Sequence, residues 1–253
     1  MHDFKKGEVV LINKPLTWTS FDVVNSFRYF IKSKLGFGKL KVGHAGTLDP
    51  LATGLLIICT GPFTKKIEEF TEYDKEYTGT FVLGATTASY DMEKPVDQTF
   101  PTDHITKEIL LAAASTLTGT IQQVPPVFSA VKIDGKHAYE YARKDRELIL
   151  PPKEVVISTF EITRIALPEV DFKIVCSKGT YIRAIARDFG LASGSGAYLS
   201  ALCRTRVGPY LLSDSWEMNE FKEFLLAEKL NASEILAANI VIPENELANK
   251  PIG

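Results

Sequence analysis

Residues 41–59, KVGHAGTLDPLATGLLIIC, constrain this chain more than any other segment. The second half of the run, Leu55, Leu56, Ile57, Ile58 and Cys59, is a continuous apolar block, the pattern of a short strand covered on both faces. Asp49 stands just ahead of it, in a loop that also holds Gly43, Gly46, Pro50 and Gly54. Pro50 pushes Asp49 out of helical geometry toward an extended one. The glycines permit sharp turns and the close approach of a ligand. A carboxylate held at a rigid strand edge is a candidate catalytic group. An Asp-Pro pair is also an ordinary turn cap, and the residues alone leave both readings open.

Composition narrows the class. At 253 residues, 45% apolar and 24% charged, the chain reads as a soluble globular protein of one large domain or two modest ones. The opening MHDFKKGEVV has no apolar signal-peptide core, and no apolar run reaches membrane-spanning length. Cys59, Cys176 and Cys203 are odd in number and far apart, which argues against a disulfide framework or a CxxC metal site. His2, His44, His104 and His137 are equally scattered. The expectation is a cytoplasmic protein without a metal.

The net charge of −2 conceals a division. Residues 211–253 hold eight acidic and three basic side chains, so the rest of the chain carries a net +3. Between Val23 and Leu48 there is no Asp or Glu, while Arg28, Lys32, Lys34, Lys39 and Lys41 supply five positive charges beside the Asp49 loop. A lysine-rich run is often only a solvated face. Next to a candidate site it is also what phosphate-backbone binding needs.

The periodicities predict a strand at 9–13 and a helix at 21–35 capped by Thr19 or Ser20, with Phe21, Val24, Phe27 and Ile31 on one face. A strand over 77–87, broken by Gly79 and Gly84, should precede a polar surface loop at 91–104 and a helix at 107–117. Further strands are expected at 127–133, ended by an Asp134-Gly135 turn, and on either side of Pro168 within 154–177. A helix over 180–189 would turn Ile182, Ile185 and Ala186 inward and leave Arg183 and Arg187 on the other side. Two acidic helices, 216–230 and 232–240, follow. The class is α+β with a mixed or largely antiparallel sheet.

Five collinear stretches carry a resemblance: residues 11–24 (LINKPLTWTSFDVV), 41–59, 74–84 (DKEYTGTFVLG), 123–143 (QVPPVFSAVKIDGKHAYEYAR) and 176–190 (CSKGTYIRAIARDFG). Together they resemble the TruB-type tRNA pseudouridine-55 synthases over roughly the first 210 residues. The resemblance implies the pseudouridine synthase fold, a central curved sheet with flanking helices and a catalytic cleft. It implies isomerisation of uridine 55 in the tRNA T-loop by base flipping, with no cofactor. Asp49 matches the family nucleophile, and Arg183 matches the arginine that keeps such a carboxylate charged in a dry cleft. Tyr77 matches the tyrosine that packs on the target base and is the candidate for removing its C5 proton. An ordinary phenol pKa near 10 favours the stacking role.

His44 matches the histidine that enters the space left by the flipped nucleotide, and Asp91 an aspartate that hydrogen-bonds near it. The Asp91 segment departs from the family run, which has a threonine-aspartate pair and a nearby glycine where this chain has Ala88, Ser89 and Lys94. Lys178 and Tyr181 would support the cleft, and Lys39 and Lys41 would meet RNA. The expected division is a catalytic domain at 1–210 and a short acidic helical extension at 211–253, too short for the additional RNA-binding PUA domain of many relatives. A tRNA T-arm is then the partner, without a guide RNA, and the protein a monomer. Two rivals remain: an RNA-binding or RNA-folding module, and a carboxylate hydrolase of nucleosides or sugars, which ordinarily needs a second carboxylate.

Overall fold

The structure is a computed structural model that describes residues 2–129, 132–133, 136–137 and 150–237, with backbone alone at 132–133, 136–137 and 231–237. In chain order the elements are β1 (Val9–Lys14), α1 (Ser20–Ser33), β2 (Val42–Ala45), β3 (Ala52–Thr60), a 3-10 turn (Gly61–Lys66), α2 (Ile67–Glu72), β4 (Lys75–Leu83), β5 (Ala85–Thr87), β6 (Val96–Thr99), α3 (Lys107–Thr116) and β7 (Gly119–Gln123). They continue with β8 (Lys132–Ile133), β9 (Lys136–His137), β10 (Lys153–Ala166), β11 (Glu169–Cys176), α4 (Ile182–Ala192), β12 (Ala197–Val207), β13 (Tyr210–Leu211), β14 (Trp216–Glu217) and α5 (Met218–Ala237).

Among the described residues one mixed sheet runs β14-β1-β3-β12-β4-β11-β10-β7, with β2 added on β3 and β13 on β12. The β1–β14 and β3–β12 pairings are parallel and the others antiparallel. One edge of β3 is shared. Its start, Ala52 to Gly54, pairs with β12, and its end, Ile57 to Thr60, pairs with β2. The chain leaves the sheet at the end of β2, loops through residue 49, and re-enters as β3. Asp49 therefore sits where the sheet changes partner strands, an opening that regular pairing would have closed.

The apolar block behaves as its pattern predicts. Leu56 and Ile58 join a core with Val24, Phe27 and Ile31 of α1 and Phe221 of α5, while Leu55, Ile57 and Cys59 join Phe70 and Val207 on the other face. All five are fully buried. Burying one such side chain is worth about 1.5–3 kcal/mol, so β3 is a rigid base for the loop that precedes it. A third core lies under α3 and α4. There Phe81 and Phe172 stack with ring centroids 4.1 Å apart, and Phe189 lies 5.4 Å from Phe81.

Several expectations are corrected. Gly79 does not break β4: a Cβ there would lie 2.3 Å from the Ala201 carbonyl oxygen and 2.7 Å from the Phe172 ring, so the glycine permits close packing inside a continuous strand. Gly84, with φ +88, does divide β4 from β5. The 91–104 segment contains a short exposed strand, β6, hydrogen-bonded to β5. Residues 127–129 are not strand, and Asp134, Gly135 and residues 138–143 lie outside the described residues. The two acidic helices are one, α5, continuous through residue 231; the predicted end at 238–240 lies outside the described residues. No helix among the described residues is long and apolar enough to cross a membrane.

Candidate active site

The Asp49 loop is fastened from the N-terminal side of the chain. Ser20, the first residue of α1, accepts a hydrogen bond from the Leu48 amide at 2.8 Å and donates to the Leu48 carbonyl at 3.1 Å. The Thr17 amide donates to the Pro50 carbonyl at 2.8 Å, from a backbone at φ 71. α1 is itself fixed at this end by a capping box, in which Thr19 and Asp22 satisfy each other's backbone amides. One side of the loop is therefore held by a well-capped helix.

Arg183 reaches Asp49 from the first turn of α4, its Nε 2.9 Å from Asp49 Oδ2. Its side chain is 6% exposed, that of Asp49 43%. The guanidinium also donates to the Ser89 carbonyl at 3.2 Å and the Phe128 carbonyl at 3.0 Å, and its Nε lies 3.6 Å from Asp91 Oδ2. Arg183 is thus a buried cation with fixed partners, reaching the cleft from outside the apolar stripe of α4 as its helical spacing suggests. Gln123 sets the start of α4: its Oε1 accepts from the Tyr181 amide at 2.8 Å and its Nε2 donates to the Tyr181 carbonyl at 3.2 Å.

An open cavity of about 600 Å³ brings Asp49, Tyr77, Lys178, Tyr181 and Arg183 together. Tyr77 is buried on β4, and burial pushes its phenol above the ordinary value, with Arg204 pulling the other way. Burial likewise raises Tyr181. Lys178 lies at the rim in an exposed ion pair with Glu72. Asp91 is buried against Arg183 and accepts from the Glu93 amide at 3.0 Å; it lines a smaller adjoining pocket with Asp49 and Arg183. His44 is half-buried on β2. Burial, then the nearby Arg204 charge, lowers its pKa, so the ring is neutral at neutral pH. Its Nδ1 has no hydrogen-bond partner among the described residues. Lys39 and Lys41 are exposed on the segment entering β2; like His44, neither lines the large cavity.

Sequence reasoning missed three buried cations, Lys14, Lys75 and Arg204, of which Lys75 and Arg204 line the large cavity. Lys14 ends β1 with no exposed surface, its Nζ donating to Pro15 at 2.9 Å and Trp18 at 2.6 Å. Burial pushes it down to about 8, against the opposing pull of Asp49. Arg204 lies in β12, a strand the periodicity did not reveal. The one local signal was a pair of arginines at alternate positions beside apolar residues, 202–207 (LCRTRV). No group of three or more His, Cys, Asp or Glu among the described residues is placed to hold a metal ion.

A family model described as "TruB family pseudouridylate synthase (N terminal domain)" matches residues 32–182, and one described as "tRNA pseudouridylate synthase B C-terminal domain" matches residues 183–247. The chain is 56% identical over 223 residues to the tRNA pseudouridine synthase B of Phocaeicola vulgatus, covering 88% of this chain and 95% of that protein. It is 52% identical over 224 residues to the protein of the same name from Flavobacterium johnsoniae, covering 88% and 98%. The fold is shared with a chain in the crystal structure of a Cbf5-Nop10-Gar1 complex, with a TM-score of 0.69 at 24% identity over 90% of this chain and 57% of that one. The first family model spans more than half of the sequence, and relatives more than 50% identical align along almost their whole length: the chain belongs to the TruB family of pseudouridine synthases.

Proposed function

We propose that this protein is a tRNA pseudouridine synthase that isomerises uridine 55 of the T-loop, with Asp49 as its nucleophile. The observation that carries the reading is the 2.9 Å pairing of a half-exposed carboxylate with a buried, fully partnered arginine at a cavity edged by two tyrosines. The reaction breaks the bond from N1 of the uracil to C1′ of the ribose, turns the base, and forms a bond from C5 to C1′. The proton lost from C5 is balanced by one gained at N1, so no atom enters or leaves.

Asp49 Oδ2 is occupied by Arg183, whereas Oδ1 has no partner among the described residues and is the oxygen available to attack, at C1′ of the sugar or C6 of the base. Arg183 aligns the carboxylate and receives the negative charge again when the covalent bond breaks. Tyr77 packs on the base. A phenol raised by burial is a weak base in the resting cleft, so removal of the C5 proton needs the Arg204 charge beside it. The target nucleotide must leave its stack, at a cost of a few kcal/mol. The neutral His44 ring, with an unpartnered nitrogen, suits filling the vacated space. Lys39 and Lys41 meet the phosphate backbone of the T-arm.

The test is incubation with an unmodified tRNA transcript, without metal or nucleotide, followed by carbodiimide mapping of pseudouridine. A single signal at position 55 that Asp49→Asn abolishes, while tRNA binding persists, supports the assignment. Binding with no signal from the unaltered protein would replace it with an RNA-folding module. Release of free uracil would replace it with a hydrolase.

A further inference from the structure

We propose that Arg204 is a positioning residue for the isomerisation, tying both ends of the Asp49 loop to the strand that carries Tyr77. The inference rests on the pseudouridine synthase reading and adds to it a residue outside the Asp49–Arg183 pair. β12 lies between β3, which follows the nucleophile loop, and β4. At one point in that strand Arg204 is the register partner of Gly54 on one side and of Tyr77 on the other. Its Nε donates to the Leu55 carbonyl at 2.7 Å and its Nη2 to the Gly46 carbonyl at 3.1 Å. Those carbonyls bracket Asp49, one on the way out of the sheet and one on the way back in.

The side chain is 1% exposed, and Arg204 lines the cavity together with Asp49 and Tyr77. An ion this deeply buried is costly unless its hydrogen bonds are met. Replacing buried ionic groups with hydrophobic residues of similar volume is often neutral or stabilising, so a guanidinium at this point answers a different requirement. Its flat, forked donors suit two carbonyls nine residues apart better than a single ammonium could. The close approach is built in on the other side as well. Gly54, at φ +104, would place a Cβ 2.4 Å from the Arg204 carbonyl oxygen, so β3 and β12 meet only because that residue is glycine. The same charge opposes the effect of burial on Tyr77 and lowers His44, so one cation faces two groups of the site without reaching solvent.

The test is single-turnover pseudouridine formation and tRNA affinity for the full-length protein, Arg204→Lys and Arg204→Gln, across pH, with thermal unfolding as the folding check. Activity of the unaltered protein establishes the underlying reading first; its failure there is separate from failure of the proposal. The expected result is a rate about 100-fold lower for Arg204→Gln, the scale of a lost preorganised electrostatic contact. tRNA affinity should stay within about two-fold, because the buried group does not touch RNA. The rising limb of the Gln variant's pH-rate profile should move to higher pH as Tyr77, the candidate base, loses its nearby cation. Arg204→Lys should recover part of the rate and the original pH profile, since it keeps the charge and loses the fork. A full rate with Arg204→Gln, or a loss confined to tRNA affinity, overturns the proposal. So does a lowered rate with an unchanged pH profile. If Arg204→Gln does not fold, the Lys variant decides alone: an unchanged rate overturns the proposal, and at least a ten-fold loss with intact tRNA affinity and pH profile sustains it.

Discussion

At the scale of single residues, the site depends on buried charges whose partners come from distant parts of the chain. Arg183 faces Asp49, Asp91, Ser89 and Phe128 at once. Asp91→Asn keeps the shape and removes the charge, leaving a buried cation undercompensated. Turnover should fall about ten-fold, and stability by about 3 kcal/mol, the usual scale for breaking a buried pair; urea unfolding and single-turnover kinetics on the same variant check both. The thiols give a pH test. Burial pushes Cys176 up to about 12 and Cys59 up to about 11. A group raised in the folded state contributes stability that is complete below its unfolded value, near 9, and is lost as pH climbs toward the folded value. Unfolding midpoints should therefore decline above about pH 9, and less steeply for Cys176→Ala; equal slopes would contradict the assignment. Asp49 was visible as a candidate because its glycine-rich loop and apolar strand are contiguous. Its competing role as a turn cap could be set aside only once Arg183 was seen beside it.

At the scale of elements, α1 and β3 were readable from local pattern. The capping box at Thr19, the helical spacing of Val24, Phe27 and Ile31, and the continuous apolar block of β3 are contained in their own few residues, although Phe21, expected on the same face, is exposed. Removing the cap with Thr19→Ala should cost about 1 kcal/mol, and because Ser20 and Leu48 hang on that helix end, it should also lower turnover. β12 was unreadable for the opposite reason. Its buried members, Ala197, Leu199, Arg204 and Val207, lose strict alternation at two register shifts against β4, so no period of two runs through it. Gly54 tests the junction this strand makes. Gly54→Ala combines a left-handed backbone with a direct clash on the Arg204 carbonyl, and should cost about 3 kcal/mol or more in chemical denaturation. A cost below about 1 kcal/mol would mean that the two strands separate more easily than this packing implies.

At the scale of the whole molecule, the uneven charge acts through solution rather than through contacts. The basic run between Val23 and Leu48 ends in the exposed Lys39 and Lys41, close in sequence to the Asp49 loop. Lys39→Glu with Lys41→Glu should weaken tRNA affinity and flatten its dependence on salt by about two phosphate contacts. The turnover rate at saturating tRNA should be unchanged, as measured by filter binding and single-turnover rates at several salt concentrations. A loss of rate at saturation would place these lysines in the chemistry instead.

The sequence alone determined which segment holds the nucleophile candidate, the α+β class and the family, because these rest on contiguous motifs and short-range periodicity. Only the tertiary structure decided that Asp49 lies where β3 exchanges β2 for β12, that Arg183 is buried among fixed partners, and that Arg204 joins the Asp49 loop to Tyr77. Arg204 reaches Leu55 across 149 positions of sequence. No local pattern encodes a partner that distant, since the contact exists only after the sheet has ordered its strands.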